Sequence, residues 1–127
     1  MKLTNNFIKS EFDSKDGAYM TQDVFCNIQK LANQLQILRN EIGKPITINS
    51  GYRSPSHNKS IGGVKNSQHV LGKAADIVVE GIESDDLALI IEVLINNGEM
   101  LQGGLGIYNT FVHYDIRKTR ARWDYRT

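Results

Sequence analysis

From Thr21 to Ile42 the apolar residues Val24, Ile28, Leu31, Leu35, Leu38 and Ile42 recur at steps of three and four. That spacing lays one apolar stripe along a helix. Such a helix must bury its stripe, so the rest of the chain has to supply a second layer. Gly43 is a natural helix stop and Pro45 forbids continuation. Ile46 to Ile48 then read as a short strand, and Gly51 to Asn66, with Pro55 and Gly62-Gly63, as a loop. Ala74 to Glu80 contains Ile77, Val78 and Val79, the composition of a buried strand. Ser84 is predicted to cap a second helix, with Asp85 and Asp86 in the first turn where the helix dipole favours anions. That helix should run to about Asn97 and stop at Gly98. Its apolar residues between Leu87 and Ile95 surround nearly the whole circumference, which predicts deep packing. Gly103–Tyr108 and Phe111–Arg117 read as two strands joined by a tight turn at Asn109-Thr110. The expectation is an α+β domain, an antiparallel sheet with packed helices, wrapped by an irregular segment over residues 1–20.

With 127 residues, a single domain over residues 1–127 is the natural prior. A formal net charge of +1 gives no electrostatic reason to expect nucleic acid or a membrane surface as partner. No apolar run approaches the length of a membrane span, so no membrane insertion is expected. The one cysteine, Cys26, excludes an intramolecular disulfide and a Cys-rich zinc knuckle, and is predicted to be a core residue. The start, Met-Lys-Leu-Thr-Asn-Asn, has no apolar signal region. The chain as written is expected to be cytoplasmic when made, and to reach any external target through lysis or phage machinery. Nothing assigns an oligomeric state; a monomer is the simplest expectation.

The chain has three histidines, His57, His69 and His113. Alternation on the last predicted strand puts His113, Asp115 and Arg117 on one face, with Phe111 at its start. His69 and Asp76 are seven residues apart, across a bend that Gly72 permits. Two imidazoles and a carboxylate make a zinc set with one position left for water. Satisfied structural histidines are the alternative, because spacing alone is a weak signal.

The same residues carry a family resemblance. Ser67, His69, Gly72, Ala74 and Asp76 fill the pattern S-x-H-x-x-G-x-A-x-D, and His113 and Asp115 follow as H-x-D. Ser50-Gly51-Tyr52-Arg53-Ser54 and Gly103-Gly104-Leu105-Gly106-Ile107-Tyr108 match two flanking segments. From about Leu31 to Trp123 the chain resembles the zinc D-Ala-D-Ala carboxypeptidases, whose relatives include phage L-alanyl-D-glutamate endolysins and the hedgehog signalling domain. The resemblance implies their small α+β fold and a peptidoglycan peptide as substrate. It implies zinc held by His69, Asp76 and His113, with a zinc-activated water attacking the peptide carbonyl. Many relatives place a catalytic carboxylate three residues before the second zinc histidine; here that residue is Thr110. Asp115 is therefore the expected base, against the alternative that it fixes the tautomer of an imidazole. Arg53 is the expected partner of a substrate carboxylate or developing oxyanion, since a guanidinium binds carboxylate with a two-point fork. Ser67, Gln68 and Tyr108 are candidate substrate-binding residues, although Ser67 could equally cap a turn and Tyr108, like Trp123, could be core. His57 is expected to bond backbone in its loop, and the basic run Arg117, Arg120, Arg122 and Arg126 to be a solvated tail.

Two further functions stay open at this point. One is a zinc-containing binding module without catalysis, since fold does not fix function and the carboxylate before His113 is missing. The other is an α+β domain with coincidental histidines.

Overall fold

A computed structural model describes residues 1–127. Thr21 caps the first helix, α1 (Gln22–Ile42), by accepting the Val24 N–H on its hydroxyl. Gly43 ends it in the left-handed conformation, at φ 66°, as predicted from its position. The stripe Val24, Ile28, Leu31, Leu35 and Leu38 is buried. Cys26 corrects an expectation: it is exposed, because it lies two residues past Val24 and so on the far side of the helix.

The chain continues through β1 (Thr47–Ser50), α2 (Pro55–Ser60), β2 (Ala74–Val78), α3 (Ser84–Asn96), β3 (Gly104–Ile107), β4 (Val112–Asp115) and β5 (Ala121–Asp124). The sheet order is β1-β2-β4-β3-β5. The first four strands pair antiparallel, and β5 adds a parallel edge beside β3. The α+β fold with packed helices is as expected, with a sheet that is mixed at one edge. Ala75, Ile77, Leu105, Val112 and Tyr114 join the stripe of α1 and the inner side of α3 in one core. No helix is long and apolar enough to cross a membrane.

Four local expectations change. Within the predicted loop 51–66, Ser54 caps the short helix α2, with Pro55 in its first turn. Glu83, not Ser84, holds the N-cap position of α3; the Ser84 hydroxyl instead donates to the Tyr108 carbonyl at 2.6 Å, tying the helix to the end of β3. On α3, Leu89 and Val93 are 62% and 48% exposed, so only its inner side is packed. The C-terminal arginines are not a free tail. Arg122 on β5 pairs with Glu92 of α3 at 2.7 Å, and Arg117 and Arg126 pair with Asp115 and Asp124.

Residues 1–20 hold a 3₁₀ turn at Lys9–Phe12 and an isolated bridge between Lys2 and Ile8. They do more than wrap the surface: the Phe7 and Phe12 rings are fully buried members of the core.

Candidate metal centre

The pairing register builds one transverse row across the sheet. Ser50 lies opposite Asp76, Asp76 opposite His113, His113 opposite Gly106, and Gly106 opposite Trp123. Directly opposed residues share a face, so this row stands on the side of the sheet away from the core. Gly106 carries a steric demand here: a Cβ on it would overlap the Trp123 indole. Its absent side chain lets the indole lie across β3, with its ring centroid 5.1 Å from that of His113.

His69 comes from the turn before β2. Its Nδ1 donates to the Gly51 carbonyl at 2.7 Å, which leaves Nε2 as the acceptor atom. That Nε2 lies 3.2 Å from Asp76 Oδ1. His113 is arranged the other way round: its Nε2 donates to Asp115 Oδ2 at 2.7 Å, and its Nδ1 lies 3.2 Å from the same Asp76 Oδ1. In the neutral imidazoles those hydrogen bonds favour, two nitrogen lone pairs and a carboxylate oxygen converge, the three ligand atoms lying within 4.8 Å of one another. All three residues are buried. Three acceptors facing one point without a donor repel each other unless a cation sits between them. Two imidazoles and one carboxylate, each imidazole held through its second nitrogen, is a donor set that suits zinc.

Without a cation, protons take its place. Burial pulls the His113 imidazolium down in pKa, but hydrogen bonds and charge from Asp115 and Asp76 outweigh it and leave the group above its ordinary value. Burial pushes the Asp76 carboxyl up; the His113 and His69 hydrogen bonds outweigh that and hold it well below the usual carboxylate range.

Asp115 does not have the geometry of a base. Its residue is 0% exposed. Oδ2 accepts His113 Nε2–H and an Arg117 N–H at 2.7 Å each. Oδ1 accepts the Gly104 and Arg117 backbone N–H groups at 2.9 and 3.1 Å, and Arg117 Nε–H at 2.9 Å. Every lone pair is engaged, and Gly104 has no room for a side chain beside it. A carboxylate so occupied orients His113 and has no face open to a water or substrate.

The His69, Asp76 and His113 side chains open on a cleft of about 500 Å³. Arg53, Ser67, Gln68 and Tyr108 all line it, as do Phe111, Trp123 and Tyr125, and Asp76 is the only carboxylate among the lining residues. Arg53 reaches Asp76 Oδ2 at 3.3 Å and Ser50 Oγ at 3.1 Å. Ser67 is buried, and its hydroxyl accepts the His69 N–H at 3.2 Å, so it holds the turn that carries His69. Tyr108 stacks on Phe111 at 4.3 Å, and its hydroxyl accepts the Trp123 Nε1–H at 3.0 Å. Gln68 Oε1 is buried without a partner. His57 falls on α2 outside the cleft lining, and no hydrogen bond of its ring is formed. Thr110 is exposed and also outside it. Sequence reasoning missed Tyr125 as part of the aromatic wall, because it did not find the strand that carries Trp123 and that Tyr125 directly follows. It also missed Asn58, which is buried, accepts from Arg53 Nη1 on its Oδ1 at 3.4 Å and donates to the Val64 carbonyl.

The Peptidase M15 family model matches residues 2–115. Over 83 residues the chain is 37% identical to the zinc D-Ala-D-Ala carboxypeptidase of Streptomyces albus G, an alignment covering 63% of this chain and 31% of that protein. The matched region is thus about a third of the length of that relative. Among solved structures, the L-Ala D-Glu endopeptidase ChiX of Serratia marcescens is similar at a TM-score of 0.48 and 15% identity, over 77% of this chain and 89% of that one.

Proposed function

This chain belongs to the peptidase M15 family, and from that premise we propose that it is a zinc peptidase hydrolysing peptidoglycan stem peptides near a D-amino acid, as a carboxypeptidase or an endopeptidase. The observation that carries the reading is the convergence of His69 Nε2, His113 Nδ1 and Asp76 Oδ1, three acceptor atoms with no donor among them. The curated relative acts, by its name, on D-Ala-D-Ala, and the substrate class is taken from it.

His69, Asp76 and His113 hold the metal. Zinc held there would supply a Lewis acid able to bring the pKa of a water toward neutrality and to polarise a carbonyl oxygen. The remaining work falls to the chain. Gly51 and Asp115 keep the two imidazoles in the tautomers that present a lone pair to the ion. Arg53 holds Asp76 Oδ2, which leaves Oδ1 aimed at the cluster. Its position in the cleft lets the guanidinium receive a substrate carboxylate or the developing oxyanion. Trp123 shields His113 from water, and the Tyr108 hydroxyl, accepting from Trp123, keeps its own proton to donate toward a bound peptide. The proposed site of action is the cell wall, reached by lysis or phage machinery, which fractionation of producing cells tests.

A second reading has one observation in its favour. With Thr110 in the usual carboxylate position and Asp115 saturated, the cleft offers no free carboxylate as base. A zinc-containing module that binds a peptide without cutting it fits that lack. A muropeptide digest analysed by mass spectrometry, with metal content measured on the same preparation, separates the two. About one zinc with a defined mass loss supports the peptidase, and zinc with no cleavage supports the module. Absence of zinc binding refutes both.

A further inference from the structure

Residues 12–16 lie outside every motif of the site, yet they are bonded to the segment that touches it. The Tyr52 N–H donates to the Phe12 carbonyl at 2.8 Å. Two residues on, the Ser54 N–H donates to Ser14 Oγ at 3.0 Å. The Ser14 hydroxyl donates in turn to Asp16 Oδ1 at 2.6 Å, and the Ser54 hydroxyl to Asp16 Oδ2 at 2.5 Å. Ser14 and Ser54 are each 4% exposed. The contact is also tight in van der Waals terms: a Cβ on Gly51 would lie 2.8 Å from Phe12 Cα. The other side of the same segment faces the metal cluster. Gly51 O accepts His69 Nδ1–H at 2.7 Å, the Arg53 N–H donates to the His69 carbonyl at 3.1 Å, and the Arg53 guanidinium bonds Asp76.

We infer that Ser14 and Asp16 are positioning residues for the metal centre, clamping Gly51–Ser54 so that the Gly51 carbonyl holds His69 in its Nδ1–H tautomer. The inference rests on the zinc reading above. An imidazole offers Nε2 as a ligand only while its proton stays on Nδ1, and that proton stays there because an acceptor is fixed beside it. Gly51 makes that bond through a backbone carbonyl, so its position is set by the chain on either side. Upstream lies strand β1, which the sheet fixes. Downstream the segment has no strand partner, and the bonds to Phe12, Ser14 and Asp16 fix it instead. The Ser14–Asp16–Ser54 group is not a nucleophile system: the Ser54 hydroxyl gives its proton to a carboxylate and accepts the His57 backbone N–H, with no imidazole to serve as base.

The test measures zinc affinity by chelator competition, and the tautomer of His69 by nitrogen-edited NMR of the zinc-free protein, in Ser14→Ala, Asp16→Ala and Asp16→Asn. Direct partners of zinc-bound histidines change affinity by about 10–100-fold when removed; one step further out, about 3–30-fold is expected for Ser14→Ala and Asp16→Ala. In both, the His69 proton should spread over Nδ1 and Nε2. Asp16→Asn should restore affinity to within about twofold, since Ser54 Oγ has a lone pair left to accept from the amide. Asp16 is exposed, so its variants test the clamp even if Ser14→Ala fails to fold. Variants that melt at lower temperature yet keep wild-type zinc affinity and the Nδ1–H tautomer would show a merely structural tether and overturn the inference. If the wild-type protein binds no zinc, the zinc reading fails instead. The NMR comparison then decides the clamp alone: an unchanged tautomer overturns it and a redistributed one supports it.

Discussion

Replacing Asp115 by Asn separates its two possible roles, and the structure sets the size of the effect. The carboxylate accepts five hydrogen bonds, two on Oδ2 from His113 and Arg117 and three on Oδ1 from Gly104 and Arg117. An Asn must put its NH₂ against one of these sets of donors. The less crowded choice is the Oδ2 position, where the amide can donate to His113 Nε2 if the imidazole proton moves to Nδ1. Nδ1 is the atom facing Asp76 Oδ1, so the move removes a metal ligand. The expected cost is about 10–100-fold in zinc affinity, or about 1.4–2.7 kcal/mol. Folding stability should fall by about 1.5–3 kcal/mol, the usual worth of a hydrogen bond to a charged group. The assay is a zinc dissociation constant from chelator competition, with muropeptide cleavage measured at zinc concentrations that saturate each protein. The expected result is weakened zinc binding and substantial recovery of turnover once zinc is saturating. Unchanged zinc affinity with cleavage reduced by about 10²–10⁴, the usual contribution of a general base, would refute the reasoning and return Asp115 to the chemistry.

Three further outcomes follow from the same geometry. His69→Ala should abolish stoichiometric zinc and muropeptide cleavage together; full activity in that variant sinks the metal centre. Gly106→Ala places a methyl inside the Trp123 indole and should cost about 1–3 kcal/mol as an overpacked site does. Trp123 is the only tryptophan, so a red shift of its emission reports the displaced ring, and unaltered fluorescence and stability contradict the packing described. Hydrogen bonds from Ser14, Ser54 and the Ala18 N–H hold the Asp16 carboxyl down from 3.8 to about 2. A depressed folded-state pKa gives stability that is present above the ordinary value and lost as pH falls. The Ser14–Asp16–Ser54 link should therefore persist above about pH 4 and loosen as pH falls through about 2, which a carboxyl NMR titration checks; an ordinary Asp16 titration near 3.8 contradicts it.

Much of the site was legible because its motifs are local. Ser67, His69 and Asp76 sit within ten consecutive positions, and one turn with one strand brings them to a point. Asp115 was visible as a partner of His113 from strand alternation. Its role was not, because that depends on how many donors surround it, and these come from β3, from Arg117 and from the sheet register. The strand β5 escaped notice among arginines that suggested a solvated tail. Its signal was the alternation Arg122, Trp123, Asp124, Tyr125, which sends the charged residues one way and the aromatics toward the cleft. The buried roles of Phe7 and Phe12 escaped for a similar reason, since single apolar residues in a polar segment carry no period.

The sequence by itself determined the two long helices, the antiparallel strands and which two histidines and carboxylate converge. The helices and strands follow from periodicity and from stop signals at Gly43 and Gly98, and the converging residues from the motifs that carry the family resemblance. Only the tertiary structure decided which nitrogen of each histidine faces the cluster, that Asp115 is spent on orienting His113, and that β5 closes the cleft with Trp123. It alone tied residues 12–16 to the Gly51 loop. Hydrogen-bond saturation and the room left by a glycine are properties of groups far apart in the chain, and they exist only once the sheet has set the distances between them.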